Sequence, residues 1–135
     1  MLKISTKSQY GLRAMVYLAR CKKTVCPLKA ISKEERISFD YLEKILSRLE
    51  KAGLVKAKKG AQGGYFLSKK PSGIKIREII SALEGNKGLV KCIGLKCPLE
   101  KKCLAKSFWY KIQKTLDTAL NSITLADLIK KWAIY

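Results

Sequence analysis

Residues 37–55, ISFDYLEKILSRLEKAGLV, constrain the fold more than any other stretch of the chain. Phe39, Leu42, Ile45, Leu46 and Leu49 fall on one apolar stripe at helical spacing. Ser38 stands where an N-cap oxygen is needed, and Gly53 where a helix ends in the left-handed conformation. Such a helix must bury one face and leave the other in solvent, so its neighbours decide the architecture. Upstream, STKSQYGLRAMVYLAR places Leu12, Met15, Val16 and Ala19 at helical spacing and predicts a helix over 6–20. Pro27 then opens a short second helix, PLKAISKEER, in the manner of a first-turn proline. Downstream, LVKAKKGAQGGYFLSKKP has two β-favouring runs, 54–57 and 65–67, joined by a loop with Gly60, Gly63 and Gly64. That pattern is a hairpin with a basic, glycine-rich tip.

Helix, short helix, capped helix and hairpin follow one another in the order of a winged helix-turn-helix. The expected fold is mainly α with a small β-hairpin, extended by a long dimerisation helix. A fourth helix, IREIISALEG, ends at Gly85. Beyond a loop, SFWYKIQKTLDTALNSI puts Phe108, Ile112, Leu116 and Ala119 on one stripe, and a last helix begins at Thr124, whose Asp127 three residues on makes a capping-box pattern. The chain thus divides into a DNA-binding domain at 1–85, a cysteine-rich loop at 86–104, and a dimerisation helix with a C-terminal helix at 105–135. A second subunit is the economical cover for the stripe of the long helix, and the chain's own first helix is the alternative.

Charge points to the partner. The 135 residues carry 29 Lys+Arg against 10 Asp+Glu, a net charge of +19. Residues 1–33 hold eight basic and no acidic side chains, and so do residues 51–77. A field of this sign attracts polyanions, and double-stranded DNA with a palindromic operator is the expected partner; a generic lysine-rich surface is the bland alternative. The stripe of the third helix turns Asp40, Tyr41, Glu43, Lys44, Ser47 and Arg48 away from the core. Ser38 and Tyr41 can donate to phosphates or base edges, Glu43 can accept from cytosine, and Lys44 and Arg48 can hold phosphate or guanine. In the hairpin, Lys58 and Lys59 suit the neighbouring groove, with Gln62 as an added contact. No stretch approaches the roughly 20 apolar residues a membrane span requires, and a cytoplasmic location is expected.

The cysteines raise a second theme. KCIGLKCPLEKKC places Cys92, Cys97 and Cys103 within one short loop of a chain that has no histidine. In a reducing compartment, five cysteines do not suggest a disulfide framework, so this cluster reads first as metal or redox chemistry. Thiolates suit iron-sulfur clusters, and Lys91, Lys96, Lys101 and Lys102 lower the cost of assembling negative sulfurs. Zinc, or cysteines buried without function, are the alternatives; paired C-x2-C spacing and a fourth protein ligand, usual for structural zinc, are both missing. Cys21 and Cys26 read as small, semi-buried residues flanking the first turn.

The segments YGLRAMVYLA, ISFDYLEKILSRLEKAGLV, KGAQGGYFLSKKP and NSITLADL, with three cysteines after the fourth helix, make the chain resemble the IscR, NsrR and RirA group of bacterial transcription regulators over nearly its whole length. The resemblance implies a homodimeric DNA-binding regulator whose loop cysteines bind an iron-sulfur cluster, 2Fe-2S or 4Fe-4S, sensing iron, redox or nitric oxide status. It also implies base readout by Glu43 and minor-groove entry by Lys58 or Lys59. Two positions depart from the group. Lys106 stands where an IscR-like protein has a histidine ligand, and Gln9 where an NsrR-like protein supplies an aspartate from the partner's first helix. The fourth position is therefore expected to be held weakly, by Gln9 or Ser8 across the dimer, or by water or a small thiol.

Other classes fit less well. An enzyme would need acid-base or nucleophilic machinery, and the glycine-rich tip is not followed by the helix a phosphate-binding loop requires. An electron carrier would have no use for the recognition helix. A zinc-binding or metal-free winged-helix regulator and a non-specific basic DNA-binding protein are the remaining alternatives.

Overall fold

The first helix, α1 (Thr6–Arg20), begins at Ser5, whose hydroxyl accepts the Ser8 amide. α2 (Leu28–Glu35) follows Pro27, and α3 (Phe39–Lys51) follows Ser38, whose side chain accepts from the Tyr41 amide. Gly53 leaves α3 at a φ of 79°, a conformation that costs glycine little. The chain then enters β1 (Val55–Lys58), which runs antiparallel to β2 (Gly64–Leu67) with Val55 opposite Leu67 and Lys58 opposite Gly64. A short 3-10 turn at Pro71–Gly73 leads to α4 (Ile76–Glu84), stopped at Gly85, and α5 (Lys106–Ser122) and α6 (Leu125–Trp132) complete the order. The computed structural model describes residues 3–85, 88–90, 93, 98–99 and 101–132. Among the described residues no helix is long and apolar enough to cross a membrane.

The fold is a winged helix-turn-helix with added helices. Leu42, Ile45, Leu46 and Leu49 of α3 are buried against Ala14, Met15 and Leu18 of α1, Ile31 of α2, and Ile79 and Leu83 of α4. Each fully buried leucine or isoleucine contributes about 1.5–3 kcal/mol relative to exposure, so α3 is fixed in the middle of the core and presents its other face rigidly. α6 returns to this same core through Leu125, which is fully buried. Its approach is set by two backbone bonds, from the Ile76 amide to the Ile123 carbonyl and from the Leu125 amide to the Ile74 carbonyl, both 2.9 Å. The helix start is the expected reciprocal box: the Thr124 amide donates to Asp127 Oδ2 at 2.9 Å, and the Asp127 amide donates to Thr124 Oγ1 at 3.2 Å.

One face of α5 lies on α4. The Leu89 amide donates to Gln113 Oε1 at 2.9 Å, Arg77 pairs with Asp117 at 3.5 Å, and Leu120 packs against the core. The other face is open, with Phe108 54% and Leu116 38% exposed.

Three readings of the sequence need correction. Phe39 is 46% exposed rather than part of the buried stripe, because it opens the first turn of α3, one turn ahead of Leu42, the first stripe residue in the core. Tyr41 does not turn away from the core: it is half-buried, with its ring edge-on to Tyr10 at a centroid distance of 5.8 Å. Cys21 and Cys26 are not unpaired thiols but a disulfide, made across the turn between α1 and α2 with their Cα atoms 6.7 Å apart.

Candidate nucleic-acid interface and cysteine loop

The open face of α3 carries Asp40, Glu43, Lys44, Arg48 and Lys51, all exposed, around a shallow groove that also includes Ser47. Ser38 caps the helix as a hydrogen-bond acceptor, which leaves its hydroxyl hydrogen for an incoming phosphate. Arg48 is partly committed within the protein, since one guanidinium nitrogen donates to the Leu83 carbonyl at the end of α4, 3.2 Å away. Glu43 and Lys44 sit between the cap and this tether. Tyr41 packs on Tyr10, which lies under the Arg13 guanidinium at 5.5 Å from the ring centroid, and so joins α3 to α1. Arg13 in turn pairs with Glu35 of α2 at 3.2 Å.

The wing projects from the same region. Lys56, Lys58, Lys59 and Gln62 are all exposed along the hairpin, and its turn closes through the Gly63 amide donating to the Gly60 carbonyl at 3.0 Å. A Cβ on Gly63 would lie 2.1 Å from the Lys58 carbonyl oxygen, so the tip requires glycine there. Lys44 and Lys51 on the helix and Lys56, Lys58 and Lys59 on the wing are all exposed. This is an electrostatic footprint for a phosphate backbone beside a helix that can enter the major groove. Phe39, Lys51 and Lys56 are exposed on the same elements as the residues expected from sequence. Exposure of an aromatic residue at the front of α3 was hidden by its stripe position, whereas the two lysines were visible as parts of basic runs.

The family follows from comparison with known proteins. A model for Rrf2, described as an iron-dependent transcriptional regulator, matches residues 4–131. The chain belongs to the Rrf2 family. This Rrf2 chain is 36% identical over 135 residues to the HTH-type transcriptional regulator IscR of Klebsiella pneumoniae (strain 342), covering 98% of its own length and 83% of the relative's. Among solved structures, T. potens IscR superposes with a TM-score of 0.79 at 42% identity, covering 96% of this chain and 88% of that one. CymR (YrzC), the global cysteine regulator of B. subtilis, superposes with a TM-score of 0.78 at 38% identity over 97% and 98% of the two chains. The protein is accordingly a DNA-binding transcriptional regulator and not an enzyme.

Of the Rrf2 chain's five cysteines, the disulfide occupies Cys21 and Cys26, so the three that remain are all in the loop. Cys103 is a free, exposed cysteine three residues before α5, while Cys92 and Cys97 lie outside the described residues. Lys106 begins α5 with its ammonium 5.6 Å from the Tyr110 ring centroid. The two candidate fourth ligands are held differently. Ser8 is buried and donates its hydroxyl to Glu84 Oε1 at 2.6 Å. Gln9 is exposed and donates Nε2 to the Ile4 carbonyl at 2.9 Å. Glu84, which no local pattern singled out, also accepts from the Ser5 amide and hydroxyl. The Ser5 hydroxyl, then that of Ser8, holds its carboxyl below the usual value of 4.5.

Proposed function

We propose that this protein is a homodimeric, cytoplasmic regulator that binds a palindromic operator through α3 and the wing, and that Cys92, Cys97 and Cys103 hold an iron-sulfur cluster that tunes this binding. The observation that carries the reading is the partition of the cysteines: with Cys21 tied to Cys26, every remaining thiol belongs to one loop between α4 and α5. The donor set fits the group. Three soft thiolates beside Lys101 and Lys102 suit a cluster with one iron lacking a cysteine, and no imidazole exists to complete a conventional zinc site. A bound cluster supplies chemistry that responds to iron supply, oxidants or nitric oxide. Gln9, exposed on α1, is the weak fourth ligand offered from the partner's first helix. Ser8 drops out of that role because its hydroxyl is buried and spent on Glu84.

The chain's own residues supply the route from loop to DNA. Cys103 leads directly into α5, whose open stripe of Phe108, Ile112, Leu116 and Ala119 is the dimer surface. α4, on the loop's other side, ends at Glu84, whose carboxylate holds the start of α1. A change in loop conformation therefore acts on the spacing of two reading helices and on the packing behind each. At α3, Ser38, Asp40, Glu43, Lys44 and Arg48 read the major groove, and Lys58, Lys59 and Gln62 of the wing engage the adjacent groove.

The test is a mobility-shift titration with genomic and random DNA using protein prepared with and without oxygen. Sequence-selective binding that differs between the two preparations, and that no longer differs in Cys103→Ala, is the expected result. Salt-sensitive binding without selectivity would leave only a basic DNA-coating protein. A second reading, a regulator without metal, draws on the likeness to CymR; it predicts selective binding that is unchanged in Cys103→Ala.

A further inference from the structure

The Cys21–Cys26 disulfide lies away from the loop just discussed, in the joint between α1, α2 and the wing. Cys26 is buried and forms a backbone bridge with Tyr65 of β2: its amide donates to the Tyr65 carbonyl and its carbonyl accepts from the Tyr65 amide, both at 2.9 Å. The contact is close enough that a Cβ on Gly64 would sit 2.2 Å from the Cys26 carbonyl oxygen. Whatever happens at Cys26 is thus felt on β2 of the wing, where Tyr65 and Gly64 lie next to the tip turn. Cys21, by contrast, is half-exposed and lines an open cleft of about 780 Å³ between α1, α2 and α6. Val16, Tyr17 and Leu128 contribute to its lining, and Lys22 and Lys23 stand beside Cys21 at its rim. Glu34 and Glu35 are on the α2 side, where Arg13 already pairs with Glu35.

We propose that this disulfide is a thiol-disulfide exchange site for small thiols bearing an anionic group, and that its redox state sets the grip of the wing on DNA. Two observations and the proposed location converge. Cys21 is half-exposed and lines the cleft while Cys26 is buried, so attack is directed to Cys21. Lys22 and Lys23 raise the local concentration of an anionic thiolate at that sulfur. The cytoplasmic location proposed above, on which this inference rests, is a thiol-rich medium, where disulfides are transient and regulatory rather than structural staples.

The chemistry balances with the small thiol as reductant. Its thiolate attacks Cys21 Sγ, the Cys21–Cys26 bond breaks, and Cys26 departs as a thiolate that takes up a proton. A second thiolate then attacks the sulfur of the first thiol and displaces Cys21, which is protonated in turn. Two small thiols and the protein disulfide become one small disulfide and two cysteine thiols, with two electrons passing to the protein. The reverse reaction, with a small disulfide as oxidant, restores the bond. The oxidised joint holds Lys22–Val25 and the start of β2 beside the wing tip in one arrangement, so less freedom is lost on docking to DNA.

The experiment uses the full chain with Cys92, Cys97 and Cys103 replaced by serine, so that its outcome is independent of what the loop binds, and repeats the key points on wild type. Exchange is followed by maleimide labelling with mercaptoethanesulfonate and cysteamine at low and high salt, with rates expressed per thiolate. The anionic thiol should react about tenfold faster at low salt, and the preference should shrink at high salt and in Lys22→Ala/Lys23→Ala. DNA affinity, measured after each redox treatment, should be about threefold or more tighter in the oxidised form, with Cys21→Ser matching the reduced form. A bond that resists 10 mM thiol (roughly the strength of a reducing cytosol), equal rates for the two thiols, or equal DNA affinity in both redox forms would each overturn the proposal. Thermal melts of Cys21→Ser verify that it folds.

Discussion

Ser8 of α1 donates its buried hydroxyl to the carboxylate of Glu84, the last residue of α4, at 2.6 Å, joining the first helix to the residue before the Gly85 stop and the cysteine loop. The same carboxylate accepts from Ser5, so one acidic side chain ties the entry of the fold to the end of α4. Because these hydrogen bonds favour the ionised form, the carboxyl is held below its unfolded value of 4.5.

The sign of the pH dependence follows. A carboxyl with a depressed folded value stabilises the fold above its unfolded value and loses that contribution as pH falls through the folded value. Melting temperatures between pH 7 and pH 3, roughly spanning the titration of ordinary carboxyls, should fall in wild type once the pH drops below 4.5. Glu84→Gln should start less stable at neutral pH and lose less on acidification. Glu78, lowered first by its bond from the Lys75 amide, leaves a residual slope in both proteins. Identical profiles would show that the Ser8–Glu84 contact contributes nothing.

Helix and wing should fail differently on DNA. Lys59, exposed on the wing, is a phosphate and groove contact in this account, so Lys59→Ala should weaken all sequences similarly and reduce the salt slope by about one. Glu43→Ala should mainly relax base preference, by about 1–3 kcal/mol of discrimination. Binding curves on an operator and a scrambled duplex at several salt concentrations distinguish the two, and parallel losses for both variants would count against the division.

The open stripe of α5 should be the dimer surface. Replacing Ile112 and Leu116 by glutamate should give monomers in sedimentation, and affinity for an operator with two half-sites should drop by roughly 10²–10⁴-fold through loss of bivalency. A single half-site should be bound about as well as by one wild-type protomer. An unchanged sedimentation coefficient would remove α5 from the interface.

Much of this architecture can be read locally. The limits of α1, the Ser38 cap, the left-handed Gly53 and the Thr124–Asp127 box each depend on residues within a turn of one another, and sequence spacing reports such features well. The misreadings share another cause. Cys21 and Cys26 pair where Cys26 is fixed by Tyr65, far along the chain on the wing, and nothing near either cysteine announces that strand. Tyr41 follows the helical period but turns onto Tyr10, Arg48 reaches the Leu83 carbonyl 35 residues on, and Glu84 finds its serines 76 and 79 residues back. Phe39 satisfies the period of the stripe yet sits before the core begins. Periodicity gives the direction of a side chain, whereas burial also needs something opposite.

The central claim, that Cys92, Cys97 and Cys103 hold an iron-sulfur cluster, is tested most directly by iron, acid-labile sulfide and zinc analysis of protein purified without oxygen, read together with its visible spectrum. The account predicts brown protein with matched iron and sulfide, and loss of most of both in each single cysteine-to-alanine variant of the loop but not in Cys21→Ser. Colourless protein containing stoichiometric zinc, or iron content that survives Cys103→Ala, would contradict it.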